Sequence, residues 1–363
     1  MMTMRKNSIH VMLLLAAGAC TFGAGTKASS SVFDAKRTVF GFFPSPTRLT
    51  IESVFATYSN MASHADVVLH QPNIPWKEFL RTPNAKSQTL IDLSNQMIIG
   101  RMNGLDAIFV VDPLNGLNRR EFKGLPLGWK PKFSNRDVRA AFTNFTIRIL
   151  REFKPRYLGL ASEVNTYIDT HPDDFSAYVS LYKETYALIK RILPTTQVFV
   201  TFQWEDLNNL VNGMDEGRKP YATKWELVEA FEPMLDVWAI SSYPFVAFKT
   251  PADIPANYYT PLLARTKKPL AVAEGGHSSA SIAVFNGSTN GQIEYLRVIQ
   301  RQLAPRLKFW IYLIINDLDM KTYGPAAGHE SSTLNWFSRM GFLDMDGNAK
   351  PSLAVWDDIR AGR

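Results

Sequence analysis

Apolar positions recur along the chain in two alternating patterns. Short unbroken runs rich in β-branched and aromatic residues occur at Thr38–Phe43, Asp66–His70, Asp106–Val111, Arg156–Ala161, Gln197–Phe202, Asp236–Ser241, Pro269–Ala273 and Leu307–Ile315. Runs of this kind predict strands buried on both faces. Between them the apolar positions step by three and four. Val138, Phe142, Phe145, Ile149 and Phe153 share one helical face, as do Phe175, Tyr178, Tyr182, Tyr186 and Ile189 behind a Pro172-Asp173-Asp174 start signal. Further helices are predicted over Thr50–Ala62, Thr89–Met102, Lys224–Phe231, Gly291–Leu303 and Leu334–Met340. Eight strand–helix units, about 40 residues apart, predict an α/β fold, a (β/α)8 TIM barrel in a single domain. An open doubly wound sheet is the alternative. It would carry a glycine-rich phosphate loop after its first strand, and Phe40-Gly41-Phe42-Phe43-Pro44 has none. The barrel is expected over 37–360, behind a connector at 21–36.

In such a barrel, function gathers where strands end and the following loops begin. Those ends carry His70, Asp112, Ser162, Glu163, Asn165, Trp204, Tyr243, Glu274, His277 and Asn316. Polar and aromatic groups at one rim suit a polyhydroxylated ligand, and no cofactor or metal is expected there. Trp204, and behind it Trp76 and Trp129 on longer loops, are candidates for stacking on a sugar or for simple packing. The loop 113–134 carries Arg119, Arg120, Lys123, Lys130 and Lys132. It reads either as a solvated loop or as a basic cover that favours an acidic polysaccharide.

Two strand ends stand out: Ala161-Ser162-Glu163 and Ala271-Val272-Ala273-Glu274. A carboxylate directly after a buried run faces an apolar neighbourhood, which disfavours its charged form. Each could equally form a rim salt bridge. With LGLASEVNTY (158–167), DVWAISSYPF (236–245), AVAEGG (271–276) and GFLDMDGNAKPSLAVW (341–356), the chain resembles the clan A retaining glycoside hydrolases over about residues 37–358. It looks nearest to the endo-β-1,4-galactanase family and related bacterial proteins. The resemblance implies an acid/base glutamate after the fourth strand, Glu163, and a nucleophile glutamate after the seventh, Glu274. Tyr243 would then donate to the nucleophile. Two departures stand against the pattern. Ser162 replaces the asparagine that binds the sugar 2-hydroxyl, and Gly275-Gly276-His277 replaces a Thr-Gly-Trp run. Substrate contacts are accordingly expected from Ser162, Asn165, His70, Asp112, Trp204, His277 and Asn316. The rivals are a barrel that binds carbohydrate without turnover, a metal-dependent hydrolase built on His70, Asp112 and His277, and a serine esterase, for which Gly276-His277-Ser278-Ser279 lacks the nucleophile elbow.

Charge and cysteine content change this picture little. The formal net charge is +7, but Lys and Arg are scattered, so no nucleic-acid footprint is expected. Arg5 and Lys6 followed by the apolar Val11–Ala19 read as a signal segment at 1–20, too short to span a bilayer. Ala17-Gly18-Ala19-Cys20 resembles a bacterial lipobox, which implies lipidation at Cys20; plain cleavage nearby is the alternative. Cys20 is the only cysteine, so no intramolecular disulfide can form. The expectation is an exported monomer that meets a carbohydrate substrate, touching a membrane only through a lipid anchor.

Overall fold

The computed structural model describes residues 32–34, 37–211 and 218–363. All eight apolar runs become parallel strands of one sheet: β1 (Val39–Phe42), β2 (Val67–His70), β3 (Asp106–Val110), β4 (Tyr157–Gly159), β5 (Gln197–Phe199 and Thr201–Gln203), β6 (Trp238–Ser242), β7 (Leu270–Gly275) and β8 (Leu307–Tyr312). β1 lies between β2 and β8. β5 is interrupted at Val200; its first piece pairs with β4 and its second with β6. The strands therefore run round a closed ring, and the fold is a (β/α)8 barrel.

Side chains follow the pleat of the strands. Val39, Val67, Leu69, Ile108, Val110, Ala239, Ala271, Ala273, Phe309 and Ile311 form one apolar cluster inside the barrel. Their neighbours Phe40, Val68, Phe109, Val272, Trp310 and Tyr312 belong to a second cluster, between strands and helices. This is the alternation a barrel with a filled interior requires. Gly41 serves close packing: a Cβ there would lie 2.5 Å from the Val67 carbonyl oxygen. Trp310 sits in the outer layer, 5.3 Å from Trp356 of the closing helix Pro351–Arg360. The helices start where short polar side chains satisfy free backbone N–H groups. Thr50, Ser87, Asn135 and Ser288 accept from Ser53, Leu90, Asp137 and Gly291.

The structure departs from expectation mainly at the rim. Two antiparallel hairpins, Leu114–Asn115 with Asn118–Phe122 and Ala280–Ile282 with Phe285–Ser288, follow β3 and β7 where the sequence reads as loop. Neither carries the alternating apolar pattern that marks a strand, because contacts across the rim hold them instead. The helix predicted over Leu334–Met340 starts earlier, at Ser331–Asn335, and gives way to turns. The signal segment with Cys20, and most of the connector at 21–36, lie outside the described residues. Among those described, no helix is long and apolar enough to cross a membrane.

Candidate active site

β4 ends in strained backbone. Ala161 has φ 129° and Glu163 φ 51°, values that L residues adopt only when surroundings enforce them. Here they do. The Tyr178 hydroxyl donates to the Leu160 carbonyl, the Ser162 amide to Asp112 Oδ1 at 3.4 Å, and the Glu163 amide to Thr201 Oγ1 at 2.8 Å. The turn delivers the nearly buried Glu163 side chain into the mouth of the barrel, where Ser241 Oγ donates to its Oε1.

β7 aims its glutamate differently. Ala271 and Ala273 both face the barrel interior, so simple alternation would turn Glu274 toward the helices. The pairing with β6 shifts register between Val272 and Glu274, and this irregularity brings Glu274 into the mouth. There Tyr243 donates its hydroxyl to Glu274 Oε1 at 2.7 Å. Burial pushes the Glu274 carboxyl up to about 7, the nearby Glu163 charge adds to the rise, and Arg119 and Tyr243 oppose it. Tyr243 itself is held well above the ordinary tyrosine range by burial and by both glutamates, so it remains a donor. Beneath it, the buried Glu205 accepts from the Tyr243 amide at 3.0 Å, Ser242 Oγ at 2.7 Å, Tyr258 at 3.0 Å and Gln203 at 2.6 Å.

The residue that joins the two ends is Arg119, on the hairpin after β3. It is buried, and its guanidinium contacts three carboxylates: Asp112 through Nη1, Glu163 through Nε at 2.9 Å and Glu274 through Nη2 at 3.5 Å. Burial alone would lower its pKa, but the three negative charges outweigh that and raise it. A rigid fork of donors suits this bridging better than a lysine would. The sequence showed Arg119 only as one of several basic residues in a loop. Asp112 holds it from behind, accepting also from Gln71 at 2.6 Å and from the Leu114 amide at 3.1 Å.

The expected substrate contacts are placed elsewhere. The Ser162 hydroxyl is buried and bonded to Thr201 Oγ1 at 2.9 Å, so it does not face a ligand. Asn165 is wholly buried and ties the helix after β4 to β5, accepting from the Gln203 amide at 2.8 Å and donating to its carbonyl at 3.1 Å. Asp112 is committed to Arg119 and the β4 turn. Asn316 links β8 to the first helix through Asn60 at 2.9 Å and Thr57 at 3.0 Å. Trp204 is buried among Trp225, Tyr258 and Tyr259 and offers no free face. His277 packs beside Phe245, with Nδ1 2.9 Å from the Ser278 carbonyl, and burial lowers its pKa. His70 is buried against Phe109 with Nδ1 unpartnered, and burial lowers its pKa to about 4. Trp76 is buried and donates to the Lys123 carbonyl at 2.7 Å, anchoring the hairpin's exit, and Trp129 packs against the core. The strand periodicity located the rim correctly, but it could not tell a rim residue facing the ligand from one facing a neighbouring element.

A cavity of about 390 Å³ opens at the two glutamates. Beside Arg119, Glu163, Tyr243 and Glu274, its wall is mostly apolar, with Phe245, Val246, Trp336 and Phe337. A larger cleft of about 820 Å³ lies over β1 and β2 and is lined by His70, Gln71, Asn73 and Trp76 among others. Among the described residues no group of three or more His, Cys, Asp and Glu could hold a metal ion.

No family model matches the chain, and no curated protein matches it in sequence. Solved structures do match in shape. The exo-β-1,4-mannosidase Op5Man5 from Opitutaceae bacterium strain TAV5 is 16% identical with a TM-score of 0.66, over 90% of this chain and 59% of that one. This chain therefore spans well under two thirds of that protein's length. A GH5_18 protein from Bifidobacterium longum subsp. infantis is 17% identical at TM-score 0.64, covering 90% of this chain and 79% of its own. A GH5_18 protein from Streptomyces cattleya, solved in complex with GlcNAc, is 15% identical at TM-score 0.65, covering 90% and 80%. At these identities the likeness establishes the barrel.

Proposed function

We propose that the protein is a retaining glycoside hydrolase acting on an oligo- or polysaccharide, with Glu163 as acid/base and Glu274 as nucleophile. The observation that carries this reading is the meeting of two glutamates from β4 and β7 on one guanidinium, with Tyr243 on Glu274. A separation that a single guanidinium can bridge is in keeping with the roughly 5–5.5 Å between the carboxyls of retaining enzymes. Glu163 would protonate the glycosidic oxygen while Glu274 attacks the anomeric carbon. The leaving group departs as an alcohol and a glycosyl ester forms on Glu274. Glu163 then takes a proton from water, which displaces the ester and frees Glu274. A hydroxyl both donates and accepts hydrogen bonds, so Ser241 can accept one from the protonated Glu163 Oε1 while Arg119 stays on Oε2. The solved neighbours, among them an exo-β-1,4-mannosidase and a GlcNAc complex, support a carbohydrate substrate. Export, with Cys20 as the lipid-bearing residue, completes the proposal on the strength of residues 5–20 alone.

One observation favours the rival, a barrel that binds sugar without turnover: Arg119 occupies the space between the two carboxylates. A glycan panel with wild type and Glu274→Ala separates the readings. The hydrolase reading expects turnover in wild type, none in the variant, and rescue by azide to give an inverted glycosyl azide. Saccharide binding without any turnover in wild type would establish the rival.

A further inference from the structure

A polysaccharide cut in its interior must lie across the barrel mouth with sugars on both sides of the catalytic pair. Here the mouth is divided. The cleft over β1 and β2 and the cavity at the glutamates have no lining residue in common. Between them runs the hairpin Leu114–Phe122. One of its faces contributes Gly116–Arg120 to the catalytic cavity, and the segment behind it contributes Lys123–Leu127 to the other cleft. From the opposite side comes the short helix Gly328–Glu330, after β8. Asn115 donates its side-chain amide to Glu330 Oε1, and Lys123 Nζ lies 3.9 Å from Glu330 Oε2.

Strand order shows what this contact does. β1 and β2 lie between β8 and β3 in the ring. A bridge from the β3 loop to the β8 loop is a chord that cuts β1 and β2 off from β4–β7. The bridge is anchored along its length. Phe122 packs 4.8 Å from Phe133 and 5.6 Å from Tyr167, Trp76 holds the Lys123 carbonyl, and Arg119 is pinned to Asp112 at its base. Leu114 and Asn115 are both buried. The catalytic cavity leads instead from Glu163 and Glu274 toward Phe245, Val246, Trp336 and Phe337.

We infer that this bridge makes the catalytic site a blind pocket for a chain end, so that the protein removes terminal sugars from oligosaccharides or glycosides and does not cut within a chain. The inference rests on the glycosidase reading above and names its substrate class. The terminal sugar sits on the hairpin side, and the remainder of the substrate leaves across the apolar wall, which also suits a non-sugar aglycone. The resemblance to endo-acting galactanases would imply the opposite mode.

Product analysis tests this with aryl glycosides, β-linked oligosaccharides of mannose, galactose, glucose and xylose tagged at the reducing end, and dye-cross-linked polysaccharides of the same sugars. Wild type is expected to shorten a tagged chain one sugar at a time and to leave the cross-linked polymers undissolved. Asn115→Ala combined with Glu330→Ala should raise the share of early internal cuts several-fold. Glu330→Gln, which keeps the acceptor for Asn115, should retain the wild-type pattern. Tagged fragments of intermediate length at the earliest times from wild type would overturn the inference while leaving the glycosidase reading intact. A double variant that folds, remains active and still trims only ends would overturn the role of the bridge. Wild type inert toward every substrate, aryl glycosides included, would overturn the glycosidase reading and this inference with it. The wild-type pattern decides the mode even where the double variant does not fold.

Discussion

β4 and β7 each bring one glutamate to the same cavity, but by different means and into different surroundings. β4 uses a turn with positive φ at Ala161 and Glu163, fixed by Tyr178, Asp112 and Thr201. β7 uses a register shift before Glu274. Glu163 meets Arg119 and Ser241 at hydrogen-bond distance, whereas Glu274 has the Tyr243 hydroxyl and a longer contact to Arg119. Residues of one type are thus given different surroundings by their neighbours, which on the proposed reading is how such a carboxylate pair divides acid and nucleophile roles.

The sharpest way to break the comparison is to remove each glutamate in turn. Glu274→Ala should lose on the order of 10⁵–10⁶ in kcat, the scale seen when a nucleophile is removed from a unit that acts together. Glu163→Ala should lose roughly 10²–10⁴, the usual contribution of general acid–base catalysis. The second loss should shrink for aryl glycosides whose leaving group needs no proton, and the first should not. Equal losses on both substrate classes would merge the two roles.

Arg119→Met attacks what the two ends share. It leaves three neighbouring carboxylates without their cation, so urea unfolding should show a loss of about 3–5 kcal/mol, as when one partner of a buried ion pair is removed. Unchanged stability would mean that Arg119 is not the tie between the ends.

The pH dependence sharpens the comparison further. Glu274 must be ionised to attack while Glu163 holds the proton it donates, so the active pair carries one proton. Burial and the Glu163 charge push the Glu274 carboxyl up to about 7, so the pair gives up its last proton there, and wild-type kcat/KM should fall as pH rises through about 7. Tyr243→Phe removes a donor that favours the charged form, so this alkaline limb should move to higher pH. Glu163→Gln leaves no proton to give, and in whatever activity remains the limb should vanish. An alkaline limb that ignores both substitutions would contradict the pairing of Glu163 with Glu274. The smallest effect is expected from Ser162→Ala, which gives up one buried hydrogen bond to Thr201: about 0.5–1.5 kcal/mol of stability, with KM unchanged.

That last prediction reverses what the sequence alone led one to expect. Strand and helix periodicity was enough to read the barrel, the carboxylates after two buried runs singled out Glu163 and Glu274, and the family resemblance pointed to Tyr243; the structure brings the three to one cavity. The first strand's Phe40 and Gly41 show why: their outward and inward positions follow from the pleat, a local property. Arg119 was not legible, because its importance depends on a hairpin that folds back over the mouth and on Asp112 behind it, contacts with no local periodicity. Trp204 and Asn316 misled for the related reason that a residue just past a strand can turn toward a helix as readily as toward a ligand. Ser162 looked like an altered sugar contact, yet the strained turn at β4 directs its hydroxyl to Thr201. The bridge from Asn115 to Glu330 spans more than half the chain, beyond any sequence window.

The central claim is that Glu274 attacks the sugar and Glu163 does not. The most direct measurement is mass spectrometry of peptides from wild type treated with a fluorinated glycoside that traps the glycosyl-enzyme. The account predicts a single glycosyl adduct on Glu274. An adduct on Glu163, or none while the same glycoside is turned over, would contradict it.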